Sequence, residues 1–262
     1  MKRIFLFVLV LLFFTSISNA ELTAYFMDVG QGAAVLLDCD GEFALIDGGP
    51  PSASRLIVAY LRSQGVERLE YVIATHAHAD HVGGLSGALA VYPTSAVYCP
   101  VAEYDTKAFR DFARYAGETC PIGAGDSFSL GGATLDIVGP VRKYRNENDI
   151  SVVTRVIYGE TAMLLTGDIE WDAEHDLADA DITADVLQVS HHGSDTSSSY
   201  VLLRAVMPSV AVIQCAGDNP YGHPHEAVLS RLRDADAIVY RTDVDGHIIV
   251  ISDGKTCTVE TR

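Results

Sequence analysis

The segment Thr75-His-Ala-His-Ala-Asp-His81 places three imidazoles and a carboxylate, those of His76, His78, Asp80 and His81, within six residues. It follows the apolar, β-branched run Leu69-Glu-Tyr-Val-Ile-Ala-Thr75 and precedes Gly83-Gly84. Such a run reads as a buried strand, and the glycine pair lets the backbone turn tightly behind it. Alternate histidines leave a strand end on one side and can share one metal ion. Asp80 and His81, past the turn, can serve a second. Packing alone gives no reason for four ligand-type side chains at one strand terminus. The fold must therefore bring further ligands to that point.

The chain contains several candidates of the same form. Asp168 ends the apolar run Met163-Leu-Leu-Thr-Gly-Asp168, where its two oxygens can bridge two metals; capping the helix that starts near Glu170 is the competing role. His191 and His192 follow Val186-Leu-Gln-Val-Ser190 as a third strand-end cluster. Gly193, Ser194 and the serine run 197–199 then offer close backbone and hydroxyl donors for an anion. His223 and His225 lie in Asn219-Pro-Tyr-Gly-His-Pro-His225, a loop that can lay an imidazole over a substrate, although His225 also suits the start of a helix. Asp28 and Asp47 end neighbouring strands and can accept the distal N–H of a ligand histidine. Turn formation with the glycines after them is the alternative. His175 and His247 read as structural or surface residues.

The first twenty residues belong to a different argument. Met1-Lys-Arg3 is positive, Ile4 to Phe14 is apolar but short for a bilayer, and Ser18-Asn-Ala20 is a small-x-small cleavage pattern. These features read as a secretory signal peptide at 1–20, with an uncleaved membrane anchor as the alternative, leaving a mature domain at 21–262. The expected protein is secreted or extracytoplasmic, with no stable membrane insertion after cleavage. Without Lys2 and Arg3 the mature chain has 16 basic against 35 acidic residues, a net charge of −19. That balance opposes broad non-specific binding of nucleic acid, which depends on basic surface. The five cysteines, Cys39, Cys99, Cys120, Cys215 and Cys257, lack metal-ligand spacing. In an exported chain Cys99–Cys120 is the first expected disulfide.

Apolar runs and breakers predict strands over 22–29, 33–38, 42–47, 69–74, 96–98, 127–130, 133–138, 152–158, 161–166, 186–190, 210–214, 238–242 and 246–251. Helical spacing falls at 55–64, within 78–91, and at 107–115, 171–177, 198–205 and 225–234. The order gives two half-domains, each a sheet with helices on its outer face. Packed face to face they form an α/β, four-layer αββα sandwich.

With these residues in view, the chain resembles the metallo-β-lactamase-fold hydrolases. It is most similar to stand-alone relatives of the extracytoplasmic hydrolase domain of the competence protein ComEC. The matching segments are FMDVGQG at 26–32, LIDGG at 45–49, THAHADHVGGL at 75–85, NDISVV at 148–153, LLTGD at 164–168, VSHHGS at 189–194, YGHPH at 221–225 and YRTDVDGHI at 240–248. The resemblance implies two divalent metal ions, zinc or manganese. His76 and His78 would hold one, Asp80 with His191 or His192 the other, and Asp168 would bridge. Two positions depart from the pattern. No histidine lies between His81 and His175, where the wider superfamily has a ligand, and Asn148 or a water is the suggested substitute. Ala33 stands where ComEC-like domains often carry Asp. The implied activity is phosphodiester hydrolysis, as in a nuclease, by a water that the metals make into hydroxide. Asp80 would orient that water, and His223 and Ser194 would hold the phosphate or protonate the leaving oxygen. DNA and nucleotides are the candidate substrates, with phosphodiesters of lipids or wall polymers open beside them. The alternatives are amide or other ester hydrolysis of the β-lactamase type, or a metal-binding module with little turnover.

Overall fold

The structure, a computed structural model, describes residues 21–262; the signal peptide expected at 1–20 lies outside them. The first five strands are β1 (Leu22–Phe26), β2 (Val35–Cys39), β3 (Glu42–Ile46), β4 (Leu69–Ile73) and β5 (Thr94–Tyr98). The next seven are β6 (Ser127–Leu130), β7 (Ala133–Gly139), β8 (Val153–Tyr158), β9 (Thr161–Leu165), β10 (Val186–Gln188), β11 (Val210–Ile213) and β12 (Ile238–Arg241). The chain ends on β13 (Ile248–Ser252) and β14 (Cys257–Thr261). Between them lie α1 (Ser54–Ser63), α2 (Ala79–Val82), α3 (Leu85–Val91), α4 (Lys107–Ala116), α5 (Trp171–Leu177), α6 (Tyr200–Val206), α7 (Glu226–Asp234) and α8 (Thr242–Asp245).

The strands form two seven-stranded sheets, ordered β14-β13-β1-β2-β3-β4-β5 and β12-β11-β10-β9-β8-β7-β6. Each mixes antiparallel hairpins with a parallel run: β3-β4-β5 in the first, β9-β10-β11-β12 in the second. Side chains alternate between two cores, as strand geometry requires. In β2, Val35, Leu37 and Cys39 enter the core between the sheets, while Leu36 packs under α1, α3 and α4. In β9, Met163 and Leu165 face the other sheet, while Leu164 packs beneath α5, α6 and α7. Burial on both faces explains why these strands read as continuous apolar runs. The result is the expected αββα sandwich.

Two elements carried too little signal to be expected. β14, Cys-Thr-Val-Glu-Thr, is an edge strand whose inward face holds only the half-buried Cys257 and Val259, too short an apolar pattern to mark it. α8 is a single turn around Asp243. The expected Cys99–Cys120 disulfide is not formed, and all five thiols are free. Cys120 pairs with Tyr98 in a parallel bridge, one position before Cys99. Strand alternation therefore puts Cys99 on the opposite face, buried under the helices, while Cys120 is exposed.

Tight glycine packing fixes the first sheet's loops around the motif. The Gly48 N–H donates to His81 O at 2.7 Å, and the Gly84 N–H to Gly49 O at 3.0 Å. A Cβ on Gly84 would lie 1.9 Å from the Gly48 carbonyl oxygen, so only glycine permits this approach.

Candidate metal centre

Residues from both sheets meet at one rim of the sandwich. From the first sheet, the loop after β4 delivers His76 and His78, and α2 delivers Asp80 and His81. From the second, the turn after β9 delivers Asp168. The 3₁₀ turn Ser190–Gly193 after β10 delivers His192. Two groups have ligand atoms within 4.8 Å of one another: His76, His78 and Asp168, and Asp80, His81, Asp168 and His192. Asp168 belongs to both.

Each histidine is oriented by a fixed neighbour, leaving one ring nitrogen to the site. Thr75 Oγ1 lies 3.1 Å and Ser151 Oγ 3.3 Å from His76 Nδ1. Asp47 Oδ2 lies 2.6 Å from His81 Nδ1. The same carboxylate is anchored by the Thr75 N–H at 2.8 Å and the Thr75 hydroxyl at 2.7 Å. Asp47 thus holds the tautomer of a candidate ligand, the role open to it from its strand-end position. Gln214 O lies 2.9 Å from His192 Nδ1. A buried amide pair ties the sheets behind the centre. Gln188 Nε2 donates to Gln214 Oε1 at 2.8 Å, and Gln214 Nε2 donates to Met27 O and Ala34 O across the sandwich.

The inward atoms lack ordinary partners. His76 Nε2 and Asn148 Oδ1 are buried without a hydrogen bond, and Asp168 Oδ1 has none of good geometry although His81 Nε2 is 3.1 Å away. His81 Nε2 and His192 Nε2 face each other at 3.3 Å. Buried polar atoms are normally satisfied, and two imidazole nitrogens so close need a proton or a cation between their lone pairs. These donors are nitrogen and carboxylate oxygen, which suits a borderline divalent ion. The residues therefore fit the implied metals.

The electrostatics agree. Burial, reinforced by His81, pushes His76 well below the ordinary histidine range. Burial opposes charge on His81 as well, but Asp168 and Asp47 outweigh it and hold that imidazole well above the range. Burial would lift Asp168, yet His81 and His192 hold it well below the usual carboxylate range. Asp80 is likewise kept ionised against burial by the hydrogen bond from His192. Without metal, protons on His81 and His192 balance the charge that a dication would balance.

A cavity of about 270 Å³ opens over these groups, lined by Gln31, Asp80, Asn148, Asp168, Tyr221 and His223 among others. Burial, with His191 and His192 nearby, lowers His223 to about 4. Asn148 Nδ2 donates to Glu170 Oε1 at 2.8 Å, which leaves its unpartnered oxygen.

Four further candidates are placed as follows. His191 stands outside both ligand groups. It has left-handed backbone (φ 50°), its Nδ1 lies 3.2 Å from Glu170, and its Nε2 is 4.0 Å from Asp168. Ser194 is buried, shares a 2.9 Å hydrogen bond with the Thr196 hydroxyl and is absent from the cavity lining, so it shapes the turn. The Asp28 carboxylate accepts from the Gly30 N–H at 3.1 Å, making the turn instead of holding a ligand. His225 Nδ1 accepts from the Asp195 N–H at 3.0 Å, and the residue caps α7. The geometry also adds residues the sequence argument passed over. Glu147 lies 3.2 Å from His78 Nε2 and accepts from the Tyr104 hydroxyl at 2.5 Å. Gln31 and Tyr221 line the cavity. Both sit inside segments already quoted for the resemblance, whereas nothing local to Glu147 marks it.

Residues 27–217 match the family model described as Metallo-beta-lactamase superfamily. Competence protein ComA of Neisseria gonorrhoeae is 34% identical over 224 residues, covering 84% of this chain and 30% of that protein. Recombination protein 2 of Haemophilus influenzae is 34% identical over 246 residues, covering 92% and 30%. The chain thus spans about a third of the length of these curated relatives. Among solved structures, the metallo-beta-lactamase fold protein YhfI from Bacillus subtilis superposes with a TM-score of 0.62 at 12% identity, over 89% of this chain and 100% of that one. That likeness bears on the fold. Among the described residues no helix is long and apolar enough to cross a membrane.

Proposed function

The chain belongs to the metallo-β-lactamase superfamily, and from that membership we propose an exported, two-metal phosphodiesterase of nuclease type that acts on DNA or nucleotides. The carrying observation is that two ligand groups share the buried Asp168 at one cavity, with His76 Nε2 left unpartnered. The relatives named for competence and recombination favour a nucleic-acid diester over a lactam.

His76, His78 and Asp168 would hold one cation; Asp80, His81 and His192, with Asp168, the other. Bound there, divalent cations supply Lewis-acid activation of water and neutralise charge developing on phosphoryl oxygens. Asp80, with 35% of its side chain exposed, presents an ionised carboxylate to the cavity and can orient an attacking water. Burial, with His191 and His192 nearby, favours the neutral form of the His223 imidazole, which can donate a hydrogen bond to a phosphoryl oxygen at the cavity. Glu147 fixes the His78 ring from outside.

Metal analysis of the purified protein, followed by assays with manganese or zinc on single-stranded DNA, duplex DNA, bis-p-nitrophenyl phosphate and a chromogenic cephalosporin, tests this reading. The expected result is two metals per chain and metal-dependent diester cleavage, reduced roughly a thousandfold or more by Asp168→Ala. Absence of turnover on every substrate, or turnover indifferent to Asp168→Ala, overturns the enzyme. Cleavage of the small diester without DNA rejects the nuclease while sparing the phosphodiesterase. Preference for the cephalosporin moves the chain to amide hydrolysis.

A further inference from the structure

Resting on the phosphodiesterase reading, we propose that Tyr221 is the platform on which an unpaired nucleobase of the substrate stacks, which directs the site to single strands and nucleotides. Tyr221 lines the cavity over the ligand groups, yet 63% of it is exposed. Its ring lies nearly parallel to that of His223, with centroids 5.5 Å apart and planes at 28°. His223 in turn lies at 29° to His192, centroids 6.4 Å apart. Three rings therefore step outward from a candidate metal ligand to solvent. The last has an open face, where a planar aromatic group linked to the reacting phosphate would continue the series.

The platform is held rigidly. Asn219 Oδ1 accepts from the N–H groups of Tyr221 at 3.1 Å and His223 at 3.0 Å. Its Nδ2 donates to Ala216 O and His223 O, both at 2.6 Å. Gly222, at φ 76°, supplies the left-handed turn that sets the two rings on one side. A loop so fixed loses little freedom when a ligand binds, which favours affinity from few contacts.

Charge makes that economy necessary. The residues lining the cavity include no lysine or arginine, and the whole chain carries −17. Counterion release by phosphate contacts, the usual source of affinity for nucleic acid, has little to draw on. Stacking needs no positive charge and accepts any base. In a duplex the bases already stack on their neighbours, so the open face of Tyr221 serves unpaired ones.

The test compares oligodeoxythymidylate with an abasic oligomer of equal length. KM is measured with manganese, and binding is measured by calorimetry on metal-free protein. The wild type should show a KM and a dissociation constant about 5- to 150-fold lower for the base-bearing strand. Tyr221→Ala should bring both ratios close to one, and Tyr221→Phe should keep them. A base preference that survives Tyr221→Ala overturns the proposal, as does equal weakening of both oligomers, which would make the ring only a support for its loop. Hydrolysis without base preference rejects the platform and leaves the phosphodiesterase standing. Base-dependent binding lost in Tyr221→Ala, with neither strand hydrolysed, upholds the platform and removes the enzyme.

Discussion

At the scale of single residues, the centre depends on groups that touch no substrate. Asp47 holds His81 Nδ1 at 2.6 Å and is itself anchored by Thr75. Asp47→Asn keeps the volume but loses the charge that favours the required tautomer. Metal affinity should fall about 10- to 100-fold by calorimetric titration, with the circular dichroism spectrum unchanged. The thiols behave oppositely to catalytic ones. Burial pushes Cys99 up to about 11, and burial with Asp243 beside it pushes Cys215 up to about 12. Thiolate is the reactive form, so its fraction rises with pH only as these values are approached. At pH 8 a disulfide-exchange reagent should label the exposed Cys120 rapidly and leave Cys99 and Cys215 silent. Denaturant should release five thiols. A count of three would restore a disulfide. The candidate ligands are legible because His76, His78, Asp80 and His81 lie close together in sequence and follow an apolar run. The placement of Ser194 is not legible, because a hydroxyl beside a histidine pair looks alike in sequence whether it faces a cavity or a turn. Glu147 reaches His78 across 69 positions, a distance that local pattern does not encode.

At the scale of elements, strands announce themselves when both faces are buried. β9 is buried at all five positions and was evident; β14, exposed on most of its length, was not. Gly48 and Gly84 act as one element, since a Cβ on either would run into the other's backbone. Gly84→Ala would drive a methyl group into the Gly48 carbonyl, where no side chain can swing aside. The predicted loss is about 3 kcal/mol of stability, read as a lower denaturant midpoint at constant slope. Because α2 carries Asp80 and His81, the same variant should also lower metal affinity. The turn at Ser190–Gly193 has left-handed backbone at His191, His192 and Gly193 in succession. Sequence offers no sign of this at the two histidines, yet it sets His192 within a ligand group and leaves His191 beside Glu170 at the cavity wall.

At the scale of the whole molecule, the described chain passes between the sheets only twice, between β5 and β6 and between β12 and β13. The halves are also joined by side-chain packing, by Gln214 donating to Met27 O and Ala34 O, by backbone bonds such as Val152 N–H to Thr75 O, and by the rim where the ligand groups meet. His76 and Asp168, on opposite sheets, are 92 positions apart in sequence. In the folded chain that separation has already been closed. An unfolded chain would have to close it to offer the same two ligands, at an entropic cost of ~4–5 kcal/mol for a loop of that length. A cation shared by His76 and Asp168 thus discriminates between folded and unfolded chain as a long-range staple does. Added metal should raise the unfolding midpoint in proportion to the logarithm of its concentration, with both sheets melting in one transition.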